Sequence, residues 1–124
     1  VGVLDAAQAE AAARLRPKAD RMGAYERVAW TAAANGIWLA EQAYEGMARA
    51  IEAEAPLPAV QHGKIAIGEL AEAAMLSLSR AIGGSSFSRS NPFGQWSQDV
   101  RALGFLRPPW GLAHDRLFAA TLEA

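Results

Sequence analysis

The residues best suited to ligand chemistry lie in one connection, RAIGGSSFSRSNPFGQW, which spans residues 80–96. Arg80 and Arg89 flank the adjacent glycines Gly83 and Gly84, and Ser85 follows directly. Arginine matches phosphate through its planar guanidinium fork. Consecutive glycines at a helix end let backbone N–H groups approach an anion closely. Further serines at positions 86, 88 and 90 add hydroxyl donors. The pattern is therefore that of a site for a phosphate or another anion.

The same stretch has a second, purely structural interpretation. A glycine can end the preceding helix, and serines are ordinary residues of a solvated loop. The glycine pair also lacks the strand–GxGxxG–helix context of a dinucleotide fold and the GK[ST] of a P-loop. From the residues alone, an anion site and a helix stop with a polar loop both remain open.

The other residue types capable of catalysis or metal binding are scattered. His62 and His114 have no second histidine, cysteine or paired carboxylate at ligand spacing, so we interpret them as surface or capping residues. Glu69 and Glu72 lie on the most apolar segment and are either a buried general base or a solvent-facing strip. No serine occupies a nucleophile-elbow pattern. We therefore predict no metal site, and the catalytic residues stay unknown.

The composition limits the class of protein. The chain has 124 residues, a formal net charge of -1, 52% hydrophobic residues and no cysteine, which fits one globular domain. The chain has no overall basic field, so its composition does not predict binding to nucleic acid. No stretch approaches the ~20 apolar residues of a membrane span, and the absence of cysteine favours the cytoplasm. The chain opens at Val1 in what resembles the middle of a helix, so we expect it to belong to a longer polypeptide.

Apolar residues recur at helical spacing through most of the chain, and nothing alternates like a strand. The pattern predicts an all-α domain over residues 1–124: an antiparallel four-helix bundle with a short extra C-terminal helix. The third helix is apolar on most of its circumference, so we expect other helices around it, brought close by Gly68, Ala71, Ala73 and Ala74. The predicted helices cover about 3–16, 22–55, 59–82 and 92–103, and a last helix starts at 107–109. We expect a break before Pro17, a proline turn at 55–60 and an Asn91 cap on the fourth helix. Gly83, as a left-handed residue, and Gly104 are the predicted helix stops.

Four tryptophans are many for a chain of this length. They are Trp30, Trp38, Trp96 and Trp110. We expect them to pack in the core, or to bury surface against another chain or domain.

In the order of its segments and in their motifs, nearly the whole chain resembles the C-terminal helical domain of the acyl-CoA dehydrogenase family. That family has an apolar helix ending in Gly-Gly, then an aromatic residue, a proline-led helix and an R-D-x-R segment. The corresponding residues here are Gly83-Gly84, Phe87, Pro92-Phe93, and Asp99 with Arg101 in QDVR. Lys64 stands near the start of the third helix, where the family often has a lysine.

The resemblance implies an FAD-dependent oxidoreductase of acyl-CoA-type substrates, with an N-terminal helical domain and a middle β domain preceding this one. It implies a homo-oligomer, a dimer or tetramer, held together through the helical domain. In such proteins the Gly-Gly loop approaches the FAD diphosphate of a neighbouring subunit. Candidate FAD-binding residues are therefore Arg80, Gly83, Gly84, Ser85 and Arg89.

The chain also departs from the family pattern. Arg80 replaces a frequent glutamine, and Gln95 and Gln98 replace arginines. The usual catalytic glutamate corresponds to a place near Arg107, and arginine cannot remove a proton from a substrate carbon. Two alternatives therefore remain beside a dehydrogenase: a flavin-dependent monooxygenase or oxidase on the same scaffold, and a non-enzymatic helical domain for oligomerisation or partner binding.

Overall fold

The computed structural model describes residues 2–54, 57–106 and 109–123, and every regular element among them is helical. The prediction of an all-α chain is thus confirmed for the described residues. Short 3₁₀ turns extend or join the helices, and a π-helical turn follows the last one. The five α-helices are α1 (Gly2–Leu15), α2 (Ala24–Glu52), α3 (Leu57–Ile82), α4 (Phe93–Ala102) and α5 (Trp110–Phe118).

Proline positions account for one correct helix boundary and one wrong one. Helix α1 ends at Leu15, as predicted from Pro17, and the chain continues in a 3₁₀ turn, Arg16–Arg21. The predicted proline turn at 55–60 is wrong in its second half, because α3 already begins at Leu57. Pro58 is accommodated there because the first helical turn needs no N–H donor from it. Residues 55 and 56 lie outside the described part of the chain.

Helix α3 is the central element, as its apolar circumference predicts. It contacts α1, α2, α4 and α5, and its contact with α2 is the most extensive. Four helices contribute to one core, whereas α5 joins it only at the edge, where Ala113 is buried. The core side chains are Leu4, Ala7 and Ala11 of α1, Ala33, Ile37 and Ala40 of α2, Ala71, Ala74, Met75 and Leu78 of α3, and Phe93 and Val100 of α4.

Two glycines bring α2 and α3 together. A Cβ added to Gly63 would lie 2.7 Å from the Cβ of Met47, and one added to Gly36 would lie 3.7 Å from the Cβ of Ala74. Gly68 was expected to serve this purpose, but a Cβ there would meet nothing within 4 Å. Ala73 was also expected to face a neighbour and is instead exposed.

The apolar stripe of α2 is only partly covered. Tyr25 is 93% exposed, and Val28 and Ile51 are also exposed, although all three belong to the apolar stripe of this helix. Trp38 is exposed on the same helix, whereas Trp30 and Trp96 pack against the core. Within the described residues, α2 therefore presents large apolar side chains that no other helix covers.

Helix α4 begins at an asparagine cap, as predicted. The backbone N–H of Phe93 donates to Oδ1 of Asn91 at 3.1 Å, and Phe93 itself is fully buried. Helix α4 ends at Ala102, and Gly104 lies inside a following 3₁₀ turn, Leu103–Phe105, rather than stopping the helix. None of the helices in the described ranges is long and apolar enough to cross a membrane.

Candidate functional site

Gly83 directly follows the last residue of helix α3, and its backbone has a conformation that few other residue types adopt. Its φ is 98° and its ψ is −168°, and its N–H still donates to the Ser79 carbonyl oxygen at 2.8 Å. The positive φ predicted for this stop is confirmed. The ψ value, however, places Gly83 in the extended glycine region rather than in the left-handed helical one. The chain then turns through a short 3₁₀ segment, Gly84–Phe87.

The five candidate FAD-binding residues all lie at this turn, which we call the Gly83 bend (residues 80–89). Arg80, Gly84, Ser85 and Arg89 are exposed, and Gly83 is half-buried. A Cβ built on Gly83 or Gly84 would meet nothing within 4 Å, so the main chain is bare on its outer side. Among the described residues, neither arginine side chain forms a hydrogen bond or an ion pair. The bend is thus accessible from solvent.

The serines of the bend do not act as one set of donors. Ser86 is fully buried, and its Oγ has no hydrogen-bond partner among the described residues. The hydroxyls of Ser88 and Ser90 bond each other at 2.9 Å. The side-chain N–H of Asn91 donates to the Ser85 carbonyl oxygen and closes the turn. Of the four serines proposed as donors from the sequence, only Ser85 has an exposed hydroxyl without a partner in the described chain.

A groove of about 350 Å³ lies elsewhere, between α3, the end of α4 and α5. We call it the Lys64 groove. None of the five residues of the predicted FAD site lines it. Its lining comprises Lys64, Ile65, Gly68, Glu69 and Glu72 of α3, Arg101 of α4, Leu103, Gly104 and Phe105 of the following 3₁₀ turn, and Trp110, Ala113 and His114 of α5.

Lys64 fastens the end of α4 to α3. Its Nζ donates to the carbonyl oxygens of Leu103 at 3.2 Å and Leu106 at 3.4 Å. An ammonium group has three donors, so one N–H remains for the groove. Arg101 lies two residues before Leu103, and its guanidinium makes no hydrogen bond or ion pair with other described residues. Two cations therefore stand at the α4 end of the groove.

His114 contacts its own helix through one ring nitrogen and α3 through the other. Its Nδ1 lies 2.7 Å from the carbonyl oxygen of Trp110, which requires Nδ1 to carry a proton. Its Nε2 lies 3.5 Å from Oε1 of Glu69. Both side chains are substantially exposed, so the pair is a surface contact of small energy. Glu69 and Glu72 are solvent-facing, which corresponds to the second of the two interpretations made from the sequence.

A second groove, of about 430 Å³, lies where the 3₁₀ turn after α1 meets α2. Trp30 and Met22 line it, and the Nε of Arg27 donates to the Met22 carbonyl oxygen at 3.1 Å. Its lining residues, within the described ranges, include no carboxylate or histidine. The described residues also include no group of three or more His, Cys, Asp or Glu side chains that could hold a metal ion.

Several residues of the Lys64 groove had no functional signal in the sequence. The sequence pattern gives Phe105 no role, and it interprets Trp110 and Gly68 as packing residues. Only the meeting of three elements brings them together. Arg107, near which the resemblance predicts the position of a catalytic glutamate, lies outside the described residues.

No protein-family model matches this chain, and no curated protein or solved structure is significantly similar to it.

Proposed function

We propose that this chain is the C-terminal helical domain of a cytoplasmic FAD-dependent oxidoreductase of the acyl-CoA dehydrogenase type. In this proposal the Gly83 bend lies against the FAD diphosphate of a neighbouring subunit. Gly83 and Gly84 offer bare backbone, and Arg80, Ser85 and Arg89 offer side-chain donors. The flavin supplies the redox chemistry, which accepts a hydride from an acyl-CoA-type substrate.

The observation that carries the proposal is the conformation of the Gly83 bend. The φ of 98° and ψ of −168° disfavour any residue with a side chain at Gly83. At Gly84, the space that a Cβ would occupy has no other atom within 4 Å. Arg80 and Arg89 lie nearby without partners in the described chain. Bare main chain flanked by guanidinium groups suits a diphosphate, which carries negative charge and accepts several hydrogen bonds.

The helix contacts support the finer part of the proposal, an antiparallel four-helix bundle that forms a subunit interface. Gly63 of α3 lies beside Met47, and Ala74 lies beside Gly36, so residue numbers rise along α3 as they fall along α2. The uncovered apolar side chains of α2 give a second copy something to bury. A dimer or tetramer through this domain follows from the proposal.

The test uses the polypeptide encoded by the complete reading frame that contains this chain. Gly84→Arg fills the space meant for the diphosphate, so we expect it to lower the ratio of FAD to protein after desalting. Gly111→Arg is the matched control, because Gly111 also has open space around its Cβ but lies on α5. Retention of FAD by Gly84→Arg at the level of the control would overturn the cofactor role of the bend.

The reaction type needs a separate measurement in the same polypeptide. We expect an acyl-CoA substrate to bleach the flavin absorbance under anaerobic conditions, as α,β-dehydrogenation requires. Oxygen consumption by the reduced flavin without bleaching by acyl-CoA would select a monooxygenase or oxidase instead. A polypeptide that binds no flavin and still assembles through α2 would select the non-enzymatic oligomerisation domain.

A further inference from the structure

Two glycines on the surface of the Lys64 groove have no packing role within the described chain. A glycine inside a helix costs ~0.5–1 kcal/mol relative to alanine. Gly63 has a clear reason for this cost, because Met47 occupies the place of its Cβ. Gly68, five residues later on the same helix, has nothing within 4 Å of its Cβ position, and neither has Gly104 across the groove. At Gly68 and Gly104 the groove surface is therefore bare backbone, which an occupant of the groove can approach closely.

The walls of the Lys64 groove suit a flat apolar body. Phe105 is 71% exposed and Trp110 is 60% exposed, although both are large aromatic residues. Ile65 and Ala113 complete the apolar part of the lining. Rings bind edge-on or offset against aromatic side chains, and bare glycine backbone lets them approach closely.

The charges of the groove are separated along α3. Lys64 and Arg101 stand at the α4 end, with one lysine N–H and the guanidinium donors available there. Glu72 follows Lys64 by eight residues, which is about 12 Å along a helix. Glu69 lies between them and contacts His114. The cationic end is thus the place for an anionic group.

From these observations we propose that the Lys64 groove binds a small aromatic carboxylate. The carboxylate pairs with Arg101 and the remaining N–H of Lys64, and the ring lies over Gly68 between Phe105 and Trp110. The volume of about 350 Å³ is near the lower limit for ligand sites, so it fits a single ring with a short acid chain. The inference does not rest on the proposed FAD site, because none of its five residues lines this groove.

The first experiment compares three probes that differ only in their end group: 3-phenylpropanoate, 3-phenylpropan-1-ol and 3-phenylpropan-1-amine. Each is titrated into the ¹⁵N-labelled chain without flavin, and amide and indole shifts are followed by NMR. We expect the acid to bind about fivefold more tightly than the alcohol, because a charge-assisted hydrogen bond forms, and the amine to bind most weakly. The largest shifts should come from the amides of Gly68 and Gly104 and the indole of Trp110.

Two variants separate binding in the groove from changes in folding. Gly68→Leu fills the groove and should raise the Kd of the acid at least ~10-fold, whereas Gly46→Leu, at a helix glycine outside the groove, should leave it unchanged. Arg101→Gln should lower the preference for acid over alcohol clearly below fivefold, with the remainder supplied by Lys64, while the alcohol keeps its affinity. Arg116→Gln is the matched charge control on α5. Circular dichroism checks the fold, and the smaller Gly68→Ala gives the same test, with a weaker loss, if Gly68→Leu does not fold.

Three results would overturn the proposal: equal or reversed affinities of acid and amine, shifts confined to other parts of the chain, or unchanged acid binding in the Gly68 variants. Because no flavin is present, each result is independent of whether the Gly83 bend binds FAD.

Discussion

Gly83 is the residue at which the backbone conformation is most constrained. Of the described residues, it and Glu54 are the two with positive φ, and Gly83 combines its φ of 98° with a ψ of −168°. A Cβ in that region collides with the residue's own backbone, so the requirement for glycine is local and independent of any ligand. A structural role and a cofactor role of this residue therefore need different experiments.

Gly83→Ala should destabilise the chain by about 1–3 kcal/mol, because alanine must adopt a strained conformation there. Gly84→Ala should change stability by no more than ~0.5 kcal/mol, since Gly84 has negative φ and open space around it. Urea denaturation of the two variants measures the difference. Equal stability of both would contradict the conformation described for Gly83.

A contact such as that of His114 with Glu69 shows how little one exposed pair contributes. The Nε2–Oε1 distance is 3.5 Å, and the side chains are 48% and 70% exposed. A double-mutant cycle with His114→Gln and Glu69→Gln should give a coupling energy below about 1 kcal/mol. A much larger coupling would mean that the pair is shielded from water, for example by an additional domain or a second copy.

At the scale of elements, the contact of α2 with α3 determines where small residues are needed. The backbone of α3 approaches Met47 at Gly63, whereas the same helix turns Gly68 towards the Lys64 groove. Two glycines on one helix therefore serve opposite purposes: one allows helix packing and the other leaves space.

Alanine substitution should separate these two purposes. Gly63→Ala should destabilise the chain by ~1–3 kcal/mol, because its methyl group would lie 2.7 Å from the Met47 Cβ. Gly68→Ala should stabilise it by about 0.5–1 kcal/mol, because helix propensity rises and nothing obstructs the methyl group. Thermal or urea denaturation of both variants gives the comparison. The same sign of effect in both would show that the contact between α2 and α3 is placed wrongly.

At the scale of the whole molecule, the described chain leaves apolar surface uncovered. Tyr25, Val28 and Trp38 are more than half exposed along α2, and Phe118 and Leu122 are exposed near the other end of the chain. Large apolar side chains in such numbers favour contact with another protein surface. This is the physical basis for expecting association of copies.

The 124-residue chain should therefore self-associate in sedimentation equilibrium at high concentration. The double variant Tyr25→Ser, Trp38→Ser should shift the population towards monomer while the helix content stays unchanged, because neither side chain belongs to the core. Leu122→Ser is the control, as it removes an exposed apolar residue distant in sequence from α2. A monomer at all concentrations would contradict an interface on α2.

Local rules in the sequence determined the helices and several of their ends. Helical periodicity, the proline after Arg16, the cap at Asn91 and the stop at Gly83 depend on neighbours within one turn, and each agrees with the structure. The start of α3 was placed two residues late, because a proline inside the first helical turn has the same sequence pattern as a proline turn.

Only the tertiary structure decided what the glycines of α3 face and which residues share a groove. Lys64, Arg101 and Trp110 belong to three elements and meet only when the elements pack. The direction of a side chain around a helix follows from the 3.6-residue period, but the identity of its neighbour depends on distant segments. Interactions between residues close in sequence therefore determined the all-α architecture and the helix stop at Gly83. The Lys64 groove and the uncovered face of α2 depend on how the helices pack together.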